Sequence, residues 1–319
     1  MSANLARTAD GWWLVTPAGL VRLGLPAVTT SGLLADRAAL DAAIEAAHAA
    51  GAQDAVPAGS LNLLSPVTAP ARVVAQAVNY RSHATDSGFD PDAVPAAFFR
   101  KASHSITGPA GDIIRPEGVG FLDYEVELGL VIGADLPAGT TVTEENLARY
   151  VAALVVANDV SARQVQLVKT QFYESKSYPT FTPVGPWLTL VDAADLARLD
   201  SLRLTLSVNG EVRQDSTTAD MIVRPAQALS LLSRFQPLGP GDLLLTGTPG
   251  GTALKAPAKT VEKLAGLLPP AAKWRLFFGR QAANPRYLRD GDVITATIAT
   301  PDRQLDLGTQ RTTVIGKTP

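Results

Sequence analysis

The chain has 319 residues, 46% of them hydrophobic and 18% charged, with a net charge of −2, so it is globular and long enough for one large domain or two. That charge balance gives no general electrostatic reason to bind nucleic acid or an anionic membrane. The absence of cysteine excludes disulfides, thiolate nucleophiles and Cys-ligated zinc or iron–sulfur clusters.

In chain order, Met1-Ser-Ala-Asn-Leu-Ala-Arg lacks the apolar core of a signal peptide, and a cytoplasmic location is expected. Trp12-Trp-Leu-Val and Leu20-Val-Arg-Leu, joined through Thr16-Pro-Ala-Gly, read as a β-hairpin. Residues 37–50 read as a helix with Leu40, Ile44 and Ala47 on one stripe and Gly51 as its stop. His48, near the end of that helix, suits a dipole-capping role better than a catalytic one. Pro57, Pro66 and Pro70 mark a linker, which divides a small N-terminal domain (1–70) from a larger domain (71–319). Beyond it, 72–78, 151–157, 202–208, 243–246 and 292–298 read as strands, with a type I′ turn at Asn209-Gly210. Short helices are expected at 144–150, 225–233 and 261–268. Strands separated by turns, with few helices, indicate an α+β fold that is mainly β. No apolar run approaches the length of a membrane span.

The stretch Phe121-Leu-Asp-Tyr-Glu-Val-Glu-Leu-Gly-Leu-Val-Ile-Gly133 alternates and reads as one strand. Asp123, Glu125 and Glu127 then share a face, with Tyr124, Val126 and Leu128 on the other. Carboxylates this close either face bulk water or share a cation, and a hard cation such as Mg2+ wants oxygen ligands. Asp159 directly follows an apolar strand, as a rim residue or a turn aspartate. His83 precedes Asp86 by three residues; on a helix the two side chains could meet as a general base, whereas on a loop His83 would simply be exposed. His104 is ambiguous in the same way. Lys176 could stabilise an oxyanion or be merely solvated. Thr246-Gly-Thr-Pro-Gly-Gly251 is a tight turn without the Lys-Ser/Thr of a phosphate loop, and no Gly-x-Ser-x-Gly elbow or His-Glu-x-x-His zinc site is present.

Five ordered motifs combine these signals: Asn-Tyr-Arg-x-His at 79–83, Asp-Tyr-Glu-Val-Glu-Leu at 123–128, Asn-Asp-Val-Ser-Ala-Arg at 158–163, Val-Asn-Gly-Glu-Val-Arg-Gln at 208–214 and Gly-Asp-Leu-Leu-Leu-Thr-Gly-Thr-Pro at 241–249. Together, over about residues 72–315, they resemble the fumarylacetoacetate hydrolase (FAH) family. The resemblance implies an FAH-type mixed β-sandwich roll, a homodimer, and Glu125, Glu127 and Asp159 as ligands of Mg2+, with Mn2+ or Ca2+ able to substitute. Asp123 would support those ligands. His83 and Asp86 would activate water, and Lys176 would lie near the substrate. Arg163 and Gln166 would reach the substrate, and Thr248 would meet its carboxylate.

The implied activity is hydrolysis of a C–C bond in a β-diketo acid, such as an acylpyruvate or a fumarylacetoacetate-like compound of aromatic catabolism. The same metal site in relatives also serves oxaloacetate-type decarboxylation, hydration or isomerisation of 2-oxo acids, and a metal-free binding module is the non-enzyme alternative. Three features depart from the family pattern. Asp86 stands where a longer Glu is usual, Pro179 falls where an acid is frequent, and Thr252 to Asp290 forms a longer insert. The segment 79–99 is expected to act as a lid carrying His83.

Overall fold

The structure, a computed structural model, describes residues 3–26, 28–257 and 269–316. The apolar strands assemble into a nine-stranded mixed sheet. Its order is Gly19–Arg22, Gly11–Thr16, Ala3–Thr8, Leu188–Leu190, Val151–Asn158, Val126–Ile132, Leu243–Leu245, Val73–Ala77 and Ala97–Lys101. A second sheet of five strands runs Glu211–Thr217, Arg203–Val208, Val293–Ala299, Asp306–Gly316 and Asp112–Arg115. Most pairs are antiparallel, but Leu243–Leu245 runs parallel to Val73–Ala77, and Asp306–Gly316 to Asp112–Arg115. The mainly β, mixed-sheet fold expected from the sequence is the fold that forms.

The central strands are apolar along most of their length because both of their faces are covered. Val126–Ile132 is buried at every position. Leu128, Leu130 and Ile132 pack with Leu204, Leu206, Ile294 and Ile298 of the second sheet. Val131, Val155 and Leu243 join Trp12, Leu14 and Leu40 on the opposite side. Each such aliphatic side chain contributes roughly 1.5–3 kcal/mol by leaving water. The strands before residue 70 are hydrogen-bonded into the large sheet, where Ala3–Thr8 pairs with Leu188–Leu190.

Helix Arg37–Ala50 forms with the expected limits, capped by Asp36 accepting from Ala39 N–H and ended by Gly51 at φ +66°. Helix Pro225–Ser233 also forms as expected. The expected helix at 144–150 shortens to Leu147–Tyr150. The one expected at 261–268 lies outside the described residues. Within the long insert, Pro270–Ala282 is a helix that sequence reading left unassigned. Phe121 receives the helix and the chain that follows it: its ring centroid lies 5.9 Å from that of Phe278 and 5.2 Å from that of Tyr287.

One expected element is corrected. The stretch 121–133 is two strands, Leu122–Asp123 and Val126–Ile132, broken at Tyr124-Glu125. The first pairs with Ser161–Ala162 and the second with Val151–Asn158. Asn158 Oδ1 accepts from Glu125 N–H at 2.9 Å, and Glu125 O accepts from Asp159 N–H at 2.8 Å. The chain crosses between two ladders there, so strict alternation fails and Asp123 parts from Glu125 and Glu127.

Candidate active site

The strand register assembles the site. Glu127 lies opposite Ala157, which brings Asp159, just past the strand end, to the same rim. One carboxylate oxygen from each of Glu125, Glu127 and Asp159 lies within 4.8 Å of the others, and all three residues are buried. The Thr246–Gly251 turn closes over them. Gly247 N–H donates to Glu127 Oε2 at 2.8 Å, which requires the residue's φ of +83° and leaves no room for a Cβ, since one would stand 2.7 Å from that of Asn79.

Three buried cations face these acids. Lys176 Nζ donates to Glu125 Oε2 and Asp159 Oδ2, each at 2.6 Å. Arg163 donates to Asp123 Oδ2 at 2.8 Å, to Glu125 Oε1 and to Gln166 Oε1 at 2.9 Å. Lys101, which sequence reading missed, is fully enclosed and donates to Asp159 Oδ1 and to Phe181 O. Its partner is 58 residues away, so no local spacing could have signalled it.

The charges do not balance evenly. Burial would raise the Glu125 carboxyl, but Arg163 and Lys176 override it and hold the group well below its usual range. Glu127 is pushed well above its usual range by burial and by Asp159 and Glu125. Burial alone would lower the Lys176 ammonium, yet Asp159 and Glu125 raise it. For Lys101 burial dominates and lowers it. Among the described residues, Glu127 has no cationic side chain bonded to it. An all-oxygen donor set with surplus negative charge fits a hard divalent cation.

Asp123 sits apart from that trio. It accepts from Arg163 and from the backbone N–H groups of Tyr124, Ala253 and Leu254. Through Arg163 it orients Glu125. Replacing Arg163 with Met leaves the buried Asp123 without its cation and Glu125 with Lys176 alone, and the expected cost is about 3–5 kcal/mol of unfolding free energy, measurable by urea denaturation.

The pocket beside this cluster is lined by Gln76, Ala77, Val78, His83, Phe99, Glu125, Glu127, Arg163, Gln166, Phe172, Lys176 and Thr248. Seven of the nine residues singled out from the sequence for chemistry line this one pocket: His83, Lys176, Arg163, Gln166, Thr248, Glu125 and Glu127. Asp159 lies behind them in the carboxylate cluster. The Thr248 hydroxyl donates to Val126 O and accepts from Gln214 Nε2. Val78, a β-branched residue at φ +49°, marks backbone strain at the pocket wall.

Asp86 departs from its expected pairing. The segment is helical, Arg81–Asp86, yet the two side chains do not meet. Asp86 accepts from Gly251 N–H at 2.9 Å and from Lys255 Nζ at 3.0 Å. His83 Nδ1 is buried and has no hydrogen-bond partner among the described residues. The shorter aspartate is taken up by the glycine turn and the insert instead. His48 and His104 are exposed and do not line this pocket.

The fold and site thus define a mixed-sheet protein with a buried acidic centre able to hold a cation beside a polar pocket. The chain belongs to the fumarylacetoacetate (FAA) hydrolase family, whose C-terminal domain it matches over residues 72–315. It is 36% identical over 200 residues to the mitochondrial oxaloacetate tautomerase of Rattus norvegicus, covering 62% of each chain. It is 38% identical over 187 residues to the 2,4-didehydro-3-deoxy-L-rhamnonate hydrolase of a Sphingomonas strain, covering 58% of this chain and 64% of that one. The aligned part thus spans about 62% of the length of the tautomerase. Among solved structures, a probable 2-hydroxyhepta-2,4-diene-1,7-dioate isomerase from Mycobacterium abscessus superposes with a TM-score of 0.72 at 29% identity over all of both chains. Members of this family are enzymes, and the relatives carry hydrolase, isomerase and tautomerase names. No described helix is long and apolar enough to cross a membrane.

Proposed function

We propose that this chain catalyses proton transfer next to the carbonyl of a 2-oxo acid, a tautomerase or isomerase reaction through an enolate. The observation that carries this reading is His83, a buried imidazole at the pocket whose Nδ1 has no carboxylate bonded to it among the described residues, and so no water-activating dyad. Burial lowers its pKa, against the pull of Glu125, so the imidazole is held neutral and ready to accept a proton.

Glu125, Glu127 and Asp159 would hold a divalent cation, Mg2+ in this proposal, which would supply Lewis acidity to the 2-oxo acid group. The chain's own residues do the rest. His83 takes the proton from the carbon beside the carbonyl as the C–H electron pair moves into the enolate, and returns it to the enolate oxygen in a tautomerisation or to a conjugated carbon in an isomerisation; enol loss runs the first of these in reverse. The Lys176 ammonium stabilises the negative charge that develops on oxygen. Arg163 holds Glu125 in place, and Phe99 and Phe172 exclude water from one wall of the pocket.

The test is direct. With Mg2+ present, the enol form of oxaloacetate should lose its ultraviolet absorbance at least 10²-fold faster than in buffer, while acylpyruvate is cleaved far more slowly. Cleavage of acylpyruvate without any acceleration of enol loss would overturn the reading. A second reading, hydrolysis of a C–C bond in a β-diketo acid, is favoured by the relative at 38% identity, which is a hydrolase. Under it, Asp86→Glu raises cleavage, because the longer acid can reach His83.

The pH dependence follows from His83. The unfolded chain's imidazole titrates near the ordinary value of 6.5 and the folded one below it. As pH falls, the unfolded chain takes up the proton first. The stability contributed by the neutral imidazole is complete above 6.5 and is lost as pH falls through the lower folded value. The acid limb of kcat/KM against pH should therefore lie below 6.5. An acid limb above it would contradict His83 as the base.

A further inference from the structure

Gln76 is the pocket residue that the charge cluster does not account for. It lies near the end of strand Val73–Ala77, two residues after Val74 and so on the same face. Val74 packs into the apolar core between the sheets. At Gln76 that face has reached the pocket, which Gln76 lines together with His83, Lys176 and Phe99. The residue is 4% exposed, its Oε1 is buried without a partner, and no described residue bonds to its carboxamide.

An amide this deeply buried is costly unless it is hydrogen-bonded. Three other polar groups of the wall already have partners: Arg163 bonds Asp123, Glu125 and Gln166, Lys176 bonds Glu125 and Asp159, and Thr248 bonds Val126 and Gln214, while the open imidazole of His83 is the proton acceptor of the reading above. The carboxamide is therefore free to be satisfied by whatever occupies the pocket. It is neutral, it both donates and accepts, and rotation about its last torsion exchanges the two functions. The complementary group is likewise neutral and able to do both, which describes a hydroxyl. A second carboxylate would offer acceptors only, and it would add negative charge beside a cluster that already has a surplus.

Resting on the 2-oxo acid reading above, we propose that Gln76 determines specificity by hydrogen-bonding a hydroxyl on the substrate chain beyond the 2-oxo acid group. The preferred substrates are then hydroxylated 2-oxo acids. An analogue without the hydroxyl leaves the carboxamide unpaired in the closed complex, and a site built to bond such a group discriminates strongly against its absence.

The experiment compares 4-hydroxy-2-oxopentanoate with 2-oxopentanoate on the full chain with Mg2+. Two quantities are read: exchange of the C3 hydrogens with deuterium oxide by NMR, and Kd by calorimetry. The wild type should prefer the hydroxylated acid by about 10- to 100-fold in both. In Gln76→Leu that preference should collapse to near one. Gln76→Met, unbranched like glutamine, carries the same test if the leucine variant does not fold. Exchange without a preference in the wild type, or a preference that survives both substitutions, overturns the role of Gln76 and leaves the 2-oxo acid reading standing. No exchange and no binding of either acid by the wild type overturns that reading, and the role of Gln76 with it.

Discussion

Removing divalent metal with EDTA should abolish turnover, and Mg2+ or Mn2+ should restore it. The physical reason is the excess of buried acid over buried base: Asp123, Glu125, Glu127 and Asp159 face Lys101, Arg163 and Lys176. Glu127 is the acid left without a counterpart: among the described residues no cationic side chain is bonded to it, and burial with Asp159 and Glu125 pushes its carboxyl well above the usual range. Glu127→Gln keeps an amide oxygen able to accept from Gly247 N–H while removing the charge that its neighbours oppose. Its folding stability without metal should equal or exceed that of the wild type. Thermal melting separates the two roles. The wild type should melt higher with rising Mg2+, because a ligand bound only by the folded chain stabilises by RT ln(1 + [L]/Kd). The variant should lose that rise. Full activity in chelated protein, or an undiminished Mg2+ response in Glu127→Gln, would refute the metal site.

His83→Ala should lower kcat by about 10²–10⁴-fold if the imidazole is the proton acceptor, while the Mg2+-dependent rise in melting temperature stays. The helix that carries His83 is tied down on several sides. Asp220 accepts from Ser82 N–H at 3.0 Å and from its hydroxyl, Gly250 N–H donates to Ser82 Oγ at 2.9 Å, and Ala256 N–H donates to Asp86 O at 2.8 Å. The backbone of the helix is thereby fixed without the imidazole, so its removal leaves a local gap rather than a displaced helix. A fall of less than tenfold would assign the proton transfer to another group. A parallel loss of the metal response would mean that the substitution had disturbed the carboxylate cluster instead.

The sequence alone determined the elements whose signals are local. Hydrophobic runs gave the strands 73–77 and 151–158, because a strand covered on both faces is apolar along most of its length, and alternation with turn residues gave 203–208 and 293–299, which bury one face. Leucine and alanine at helical spacing between Asp36 and Gly51 gave Arg37–Ala50. The order of five short motifs carried the family, and with it the gathering of Glu125, Glu127, Asp159, His83, Arg163, Gln166, Lys176 and Thr248 at one rim.

Tertiary structure decided what depends on partners far apart in the chain. Whether Asp123 joins the carboxylate trio turned on a crossing between two ladders, which alternation in one stretch does not register. Whether Asp86 meets His83 turned on Gly251 and Lys255, more than 160 residues away. Lys101 reads as an unremarkable strand-end lysine until Asp159 is folded against it, and Gln76 as a polar interruption of an apolar strand until the pocket wall is assembled around it. In each case the side chain's role is set by what it is buried against. Burial is a property of the closed fold, because the free energy of a charge or an amide depends on the groups that replace its water.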